Sequence, residues 1–200
     1  MIPTSPMAFY LASRSIDLAR LPSNIGEALR FHSACPFRLD DGSTARLPAM
    51  VALLRDIITN VSTGIHRTAL KADGSGKADM PGLGNPRKML GRAKGAVVKL
   101  SPDAEITSGL GIAEGIETAL SVLSAGWAPV WACGSAGTIA DFPVLPGIAS
   151  LTVFADADQI GIKAAMACQT RWISDGRECR VIRPRTDGQD WNNVTQGKAA

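Results

Sequence analysis

Between residues 108 and 184 the chain switches repeatedly from short apolar runs to stretches with helical spacing. This alternation restricts it to few architectures. "SGLGIAE" has the length and composition of a short buried strand. "GIETALSVLSAG" follows, with Ile116, Ala119, Leu120 and Leu123 at helical spacing and Gly126 at the stop. "PVWAC" predicts a second strand, "GSAGTIADFPVLPG" a turn-rich connection with one helical turn, and "ASLTVFAD" a third strand. "IGIKAAMACQTRWISDG" predicts a second amphipathic helix, with Ile162, Ala165, Met166, Trp172 and Ile173 on one face and Gly176 at its end. A fourth strand follows in "ECRVIRP". Strands alternating with helices imply an α/β fold, a parallel sheet of about four strands covered on both faces.

Such sheets bind ligands outside the carboxyl ends of their strands. Glu114 ends the first strand, and Asp156 and Asp158 end the third, so all three acids are expected on one rim. Alternate residues of an extended chain project to the same side, about 6.6–7 Å apart. Asp156 and Asp158 can therefore converge on one hard cation or bridge two. An oxygen-only donor set, with no histidine or cysteine beside it, favours Mg²⁺ or Mn²⁺ over zinc. Left uncompensated, carboxylates this close repel and raise one another's proton affinity. The competing role for either aspartate is to cap the helix that follows, which only one of them can do.

"IAEGIETAL", followed about forty residues later by "LTVFADADQIGIKAA", resembles the Toprim domain shared by topoisomerases and bacterial-type primases. The shared pattern is Glu114-Gly115 at one strand end, then Asp-x-Asp-x-x-Gly-x-x-Ala at another, here Asp156, Asp158, Gly161 and Ala164. "PVWA", "LPGI" and "DWNN" resemble the Toprim module of phage- and plasmid-borne primase-like proteins, over roughly residues 100–195. "GIHRTAL" and "PRKMLG" more loosely resemble the segment that precedes that module. The resemblance implies a Rossmann-like Toprim domain over residues 101–200 and a smaller basic α+β lobe over 1–100. It also implies that Asp156 and Asp158 ligate Mg²⁺, with Glu114 either a third ligand or the general base or acid. Gly115 and Gly161 would let backbone approach phosphate at the helix starts. Lys163 is a candidate phosphate contact, and Glu117, Asp190, Asn192 and Asn193 are candidates for supporting the rim.

The first half carries fewer signals. Residues 5–20 are compatible with a helix, "LPAMVALLRD" and "STGIHRTALKAD" with an antiparallel pair, and "AVVKL" with a short strand. "DGSGKADMPGLGNPRK" between them, rich in glycine and proline, is expected to be a mobile loop. Residues 1–100 hold fourteen Lys/Arg against seven Asp/Glu, whereas residues 101–200 hold seven against eleven. A basic half beside an acidic one suits a phosphate polymer and the cations it needs, and uneven surface charge is the plainer explanation. Arg67, Lys71, Arg87, Lys88, Arg92, Lys94 and Lys99 are candidates for tracking a nucleic-acid backbone. His66 beside Arg67 is a further phosphate-contact candidate, and His32 is expected to be structural. The four tryptophans are expected to fill the core or cover the sheet.

Four scattered cysteines, without a CxxC or a neighbouring histidine, predict reduced buried thiols rather than a zinc site. No apolar stretch reaches membrane-spanning length and no secretory leader is evident, so a cytoplasmic location and no membrane partner are expected. The leading expectation is Mg²⁺-dependent nucleotidyl transfer of primase type, using DNA or RNA and nucleoside triphosphates. The absence of a zinc-binding module and of a GxxxxGK[ST] motif points to a shortened, split or accessory protein, with a separate helicase or zinc-binding partner. The alternatives are a metal-dependent nuclease and a non-catalytic nucleic-acid-binding module. A single tyrosine, Tyr10, near the N-terminus argues against topoisomerase chemistry.

Overall fold

A computed structural model of the chain describes residues 4–184 and Trp191. The second half follows the predicted rhythm. It runs β6 (Gly109–Ala113), α3 (Ile116–Ser124), β7 (Val130–Ala132), α4 (Ala136–Ala140), β8 (Ser150–Phe154), α5 (Gln159–Ser174) and β9 (Glu178–Ile182). These four strands are parallel in the order β7-β6-β8-β9. The chain leaves β6 to one side and later returns across it to β8, so the strand order reverses between β6 and β8. That reversal opens a crevice at their carboxyl ends.

The first half comprises α1 (Pro6–Ser13), α2 (Ile25–Ala28), β1 (Leu29–Arg38), β2 (Thr44–Asp56), β3 (Ser62–Ala69), β4 (Arg87–Gly91) and β5 (Ala96–Lys99). The antiparallel pair β2–β3 falls where the sequence places it, whereas the helix expected over residues 5–20 ends at Ser13 and is followed by a short 3-10 turn at Leu18–Arg20. β1 and β4 do not announce themselves. β1 contains Pro36 and a register shift between His32 and Cys35, which break the period-two pattern. β4 is a short, mostly exposed edge strand. The segment expected to be a mobile loop contributes the start of β4. It is also pinned by Lys71 N–H donating to Gly76 O, Ala78 N–H to Ala69 O, and a bridge between Leu70 and Lys77.

β5 is the seam. It pairs antiparallel with β2 on one side and with β7 on the other, so one mixed sheet runs through both halves. All four of its residues are buried. A core cluster joins Met7 and Leu11 of α1, Met50 and Leu54 of β2, and Ile116 and Leu120 of α3 on one face of this sheet. On the other face, α4 and α5 cover Ile112, Trp131 and Val153, and Phe142 stacks on the fully buried Trp172.

α5 corrects one sequence expectation. Its buried stripe is Ala164, Ala165, Cys168 and Trp172, whereas Met166 and Ile173 are exposed and Ile162 is half-buried. Small residues let the helix approach the sheet closely and Trp172 sets its rotation, leaving longer apolar chains at the margins. Trp127 is likewise exposed rather than core, although its ring packs edge-on against Phe154. The four cysteines are buried free thiols, as expected. Among the described residues no helix is long and apolar enough to cross a membrane.

Candidate active site at the carboxyl ends of the parallel strands

Beyond β8 the chain remains extended long enough to keep its alternation. Ala155 donates to Ile182 O and Ala157 is buried, while Asp156 is half-buried and Asp158 exposed. Asp158 then caps α5, its Oδ1 accepting from Gly161 N–H at 2.7 Å. The capping role and the acidic rim thus coexist, because Asp156 takes no part in the cap.

Glu114 stands across the crevice at the end of β6. Burial raises its proton affinity first, and the charges of Asp156 and Asp158 raise it further. The Arg87 guanidinium and the Ala136 N–H oppose this without prevailing. The three acids predicted to share a rim therefore do feel one another. Among the described residues no three carboxylate, thiol or imidazole groups are gathered tightly enough to hold a metal ion ready-made. Ligation at this rim requires the side chains to swing inward. Three carboxylates at one rim fit a hard divalent cation.

The two glycines of the motif differ in their reasons. A Cβ on Gly161 would stand 3.0 Å from Asp156 O and 3.3 Å from Asp158 Oδ1, so close packing of the aspartate loop on α5 requires glycine there. Its N–H is already taken by Asp158. A Cβ on Gly115 would meet nothing nearer than Thr118 Oγ1 at 3.5 Å, so the fold itself does not demand glycine at the start of α3. Lys163 is exposed on the second turn of α5 and makes no hydrogen bond or ion pair among the described residues. Asp190, Asn192 and Asn193 lie outside the described residues.

Glu117 is not on the open rim. It is 6% exposed, and its Oε1 accepts from Tyr10 Oη at 2.6 Å and pairs with Lys77 Nζ at 2.9 Å. Neither Tyr10 nor Lys77 was singled out from the sequence for this site, since their proximity to α3 arises only in the fold.

The basic candidates separate by strand parity. Arg87 and Met89 of β4 project toward the second half. Arg87 acts on Glu114, and the Met89 methyl lies 3.1 Å from where a Cβ on Gly134 would be. Lys88 pairs in register with Arg67, which pairs with Val51 and onward to Arg30, on the opposite face of the antiparallel strands. Arg67 is engaged structurally, its guanidinium 5.2 Å from the Phe37 ring centroid and donating to Pro36 O at 2.6 Å. Arg92 pairs with Asp56 at 2.8 Å and also donates to Lys94 O, while the Lys94 side chain is exposed. Lys99 is buried against Trp131 and Asp103. His32 is exposed, and its Nδ1 accepts from Ala34 N–H in a local turn.

A doubly wound α/β sheet with acids at its point of strand reversal, extended by an antiparallel basic lobe, defines the class. The chain belongs to a family described as a domain of unknown function (DUF7146), matched over residues 1–100, and carries a Toprim domain, matched over residues 109–200. The fold is that of primase catalytic cores. A DNA primase domain from Pseudomonas aeruginosa is similar at 15% identity and TM-score 0.58, over 94% of this chain and 68% of that one. The DnaG catalytic core is similar at 14% identity and TM-score 0.62, over 98% and 70%. A DnaG primase catalytic domain bound to single-stranded DNA is similar at 16% identity and TM-score 0.57, over 100% and 72%. No curated protein sequence matches the chain.

Proposed function

We propose that the protein is a Mg²⁺-dependent nucleotidyl-transfer enzyme of primase type, acting on nucleic acid with nucleoside triphosphates. The observation that carries this reading is the electrostatic coupling of Glu114 to Asp156 and Asp158 across the crevice, with Arg87 acting on Glu114 from the other lobe. Asp156 and Asp158 hold the cation in this reading. Bound Mg²⁺ supplies positive charge against the charge that develops on the phosphoryl oxygens. Glu114 either completes the ligation or accepts the proton of the attacking hydroxyl, for which its raised proton affinity suits it. The Arg87 guanidinium offers the phosphates two parallel donors from the opposite wall. Gly115, whose missing side chain the packing does not require, keeps the start of α3 free of a side chain of its own beside Glu114. The single-stranded DNA held by the similar DnaG domain supports nucleic acid as the partner.

The test is incubation of the protein with single-stranded DNA and Mg²⁺ or Mn²⁺, with and without nucleoside triphosphates. Extension products that need nucleotides and vanish in Asp156→Asn are expected. Cleavage without nucleotides identifies a nuclease instead. Metal-independent DNA binding with no turnover identifies a non-catalytic module.

A further inference from the structure

Glu117 is a buried carboxylate that the proposed chemistry does not use. It joins three parts of the chain that are remote in sequence. These are α3, Tyr10 of α1, and Lys77 in the segment that precedes β4. Its Oε2 lies 3.8 Å from where a Cβ on Gly115 would stand, so the side chain curls back over the residue next to Glu114. The Lys77 ammonium pairs with the other oxygen, Oε1, and its side chain remains 30% exposed. Beside it His66 is 6% exposed, and its Nδ1 has no hydrogen-bond partner among the described residues. Burial keeps this imidazole neutral. The wall that the first half presents near Glu114 therefore carries an anchored ammonium, a neutral ring with unused hydrogen-bonding capacity, and the Arg87 guanidinium.

We propose that Lys77 is a contact for the substrate's phosphates and that Glu117 is a positioning residue, fixing the Lys77 ammonium at the first turn of α3. This rests on the phosphoryl-transfer reading above. A free surface lysine must surrender its side-chain freedom each time it meets an anion, whereas Lys77 has already done so on folding. Tyr10 Oη donates to Oε1, the same oxygen that pairs with Lys77. Together the two donors hold Glu117 ionised while Lys77 stays partly exposed.

The probe is inorganic tripolyphosphate, titrated calorimetrically into the full chain in metal-free buffer, with a thermal melt of every variant. Lys77→Met is expected to weaken binding about tenfold, and Lys77→Arg to keep it within threefold. Glu117→Gln is expected to weaken binding about fivefold, although it removes a negative charge from the neighbourhood. Tyr10→Phe loses one hydrogen bond of the same cluster but retains the ion pair, and its affinity stays within twofold of the parent. Affinities that merely follow melting temperature overturn the positioning role. Tighter or unchanged binding in Glu117→Gln, indifference to Lys77→Met, or no binding by the parent each overturn the proposal. No nucleotide, template or cation enters the measurement. A failure of DNA-dependent synthesis with Lys77-dependent binding intact therefore rejects only the proposed function.

Discussion

Replacing Glu117 with glutamine tests whether a buried charge holds the two halves together, because the substitution keeps the shape and removes the anion. Burial by itself raises the Glu117 proton affinity, but the Lys77 ammonium and the Tyr10 hydroxyl outweigh it and bring the pKa down to about 2 from 4.5. A folded-state pKa depressed in this way stabilises the protein above the unfolded pKa, and that contribution disappears as pH falls through the folded value. At about 1.36 kcal/mol per pKa unit, Glu117→Gln should cost about 3 kcal/mol at pH 7 and about 1 kcal/mol near pH 3. The neutral-pH figure agrees with the roughly 3–5 kcal/mol typical of breaking a buried ion pair from one side. Urea unfolding of parent and variant at pH 7, 5 and 3 measures the difference. Asp41, Asp56 and Asp73, also depressed by local hydrogen bonds, are common to both proteins and cancel. A penalty that stays the same at pH 7 and pH 3 refutes the electrostatic argument and reduces Glu117 to a packing residue.

Asp156→Asn and Glu114→Gln should each lower metal-dependent transfer at least about a hundredfold with melting temperature unchanged, checked by primer-extension assay and thermal denaturation. Gly161→Ala should disturb the Asp156–Asp158 loop, because its Cβ would press on Asp156 O at 3.0 Å, and should lower activity more than stability. Arg87→Ala should impair transfer. Lys88→Ala, on the other face of β4, should leave turnover intact and flatten the salt dependence of DNA binding by about one in log–log slope; equal effects of the two refute their separation. Trp172→Ala should destabilise the fold by about 3–5 kcal/mol in chemical denaturation, since it empties the contact with Phe142 under α5.

The parallel half was legible because its strands are short, mostly buried in β6, β7 and β8, and separated by helices, so composition and period agree. The acids at the tips of β6 and β8 were legible for the same reason, since a strand end fixes both position and direction. Strand parity at Arg87 and Lys88 was not, because β4 has too few residues and too little burial to reveal a register before its neighbour β3 supplies one. The partners of Glu117 were hidden more deeply. Tyr10 lies 107 residues away from it, and nothing local to either residue marks the contact. α5 was half legible, with its extent evident and its buried face misjudged, because side-chain size competes with hydropathy where a helix lies close on a sheet.

The β2–β5–β7 ladder also bears on how a substrate gets in. Two lobes joined by a flexible tether can open like a jaw, whereas here swinging the basic lobe away from the acids would tear backbone hydrogen bonds on both sides of β5. The distance between Arg87 and Glu114 is accordingly set by a rigid ruler of main chain. Entry and exit then fall to side-chain rearrangements and to the connections around the crevice, and the gap itself limits how bulky a ligand can pass.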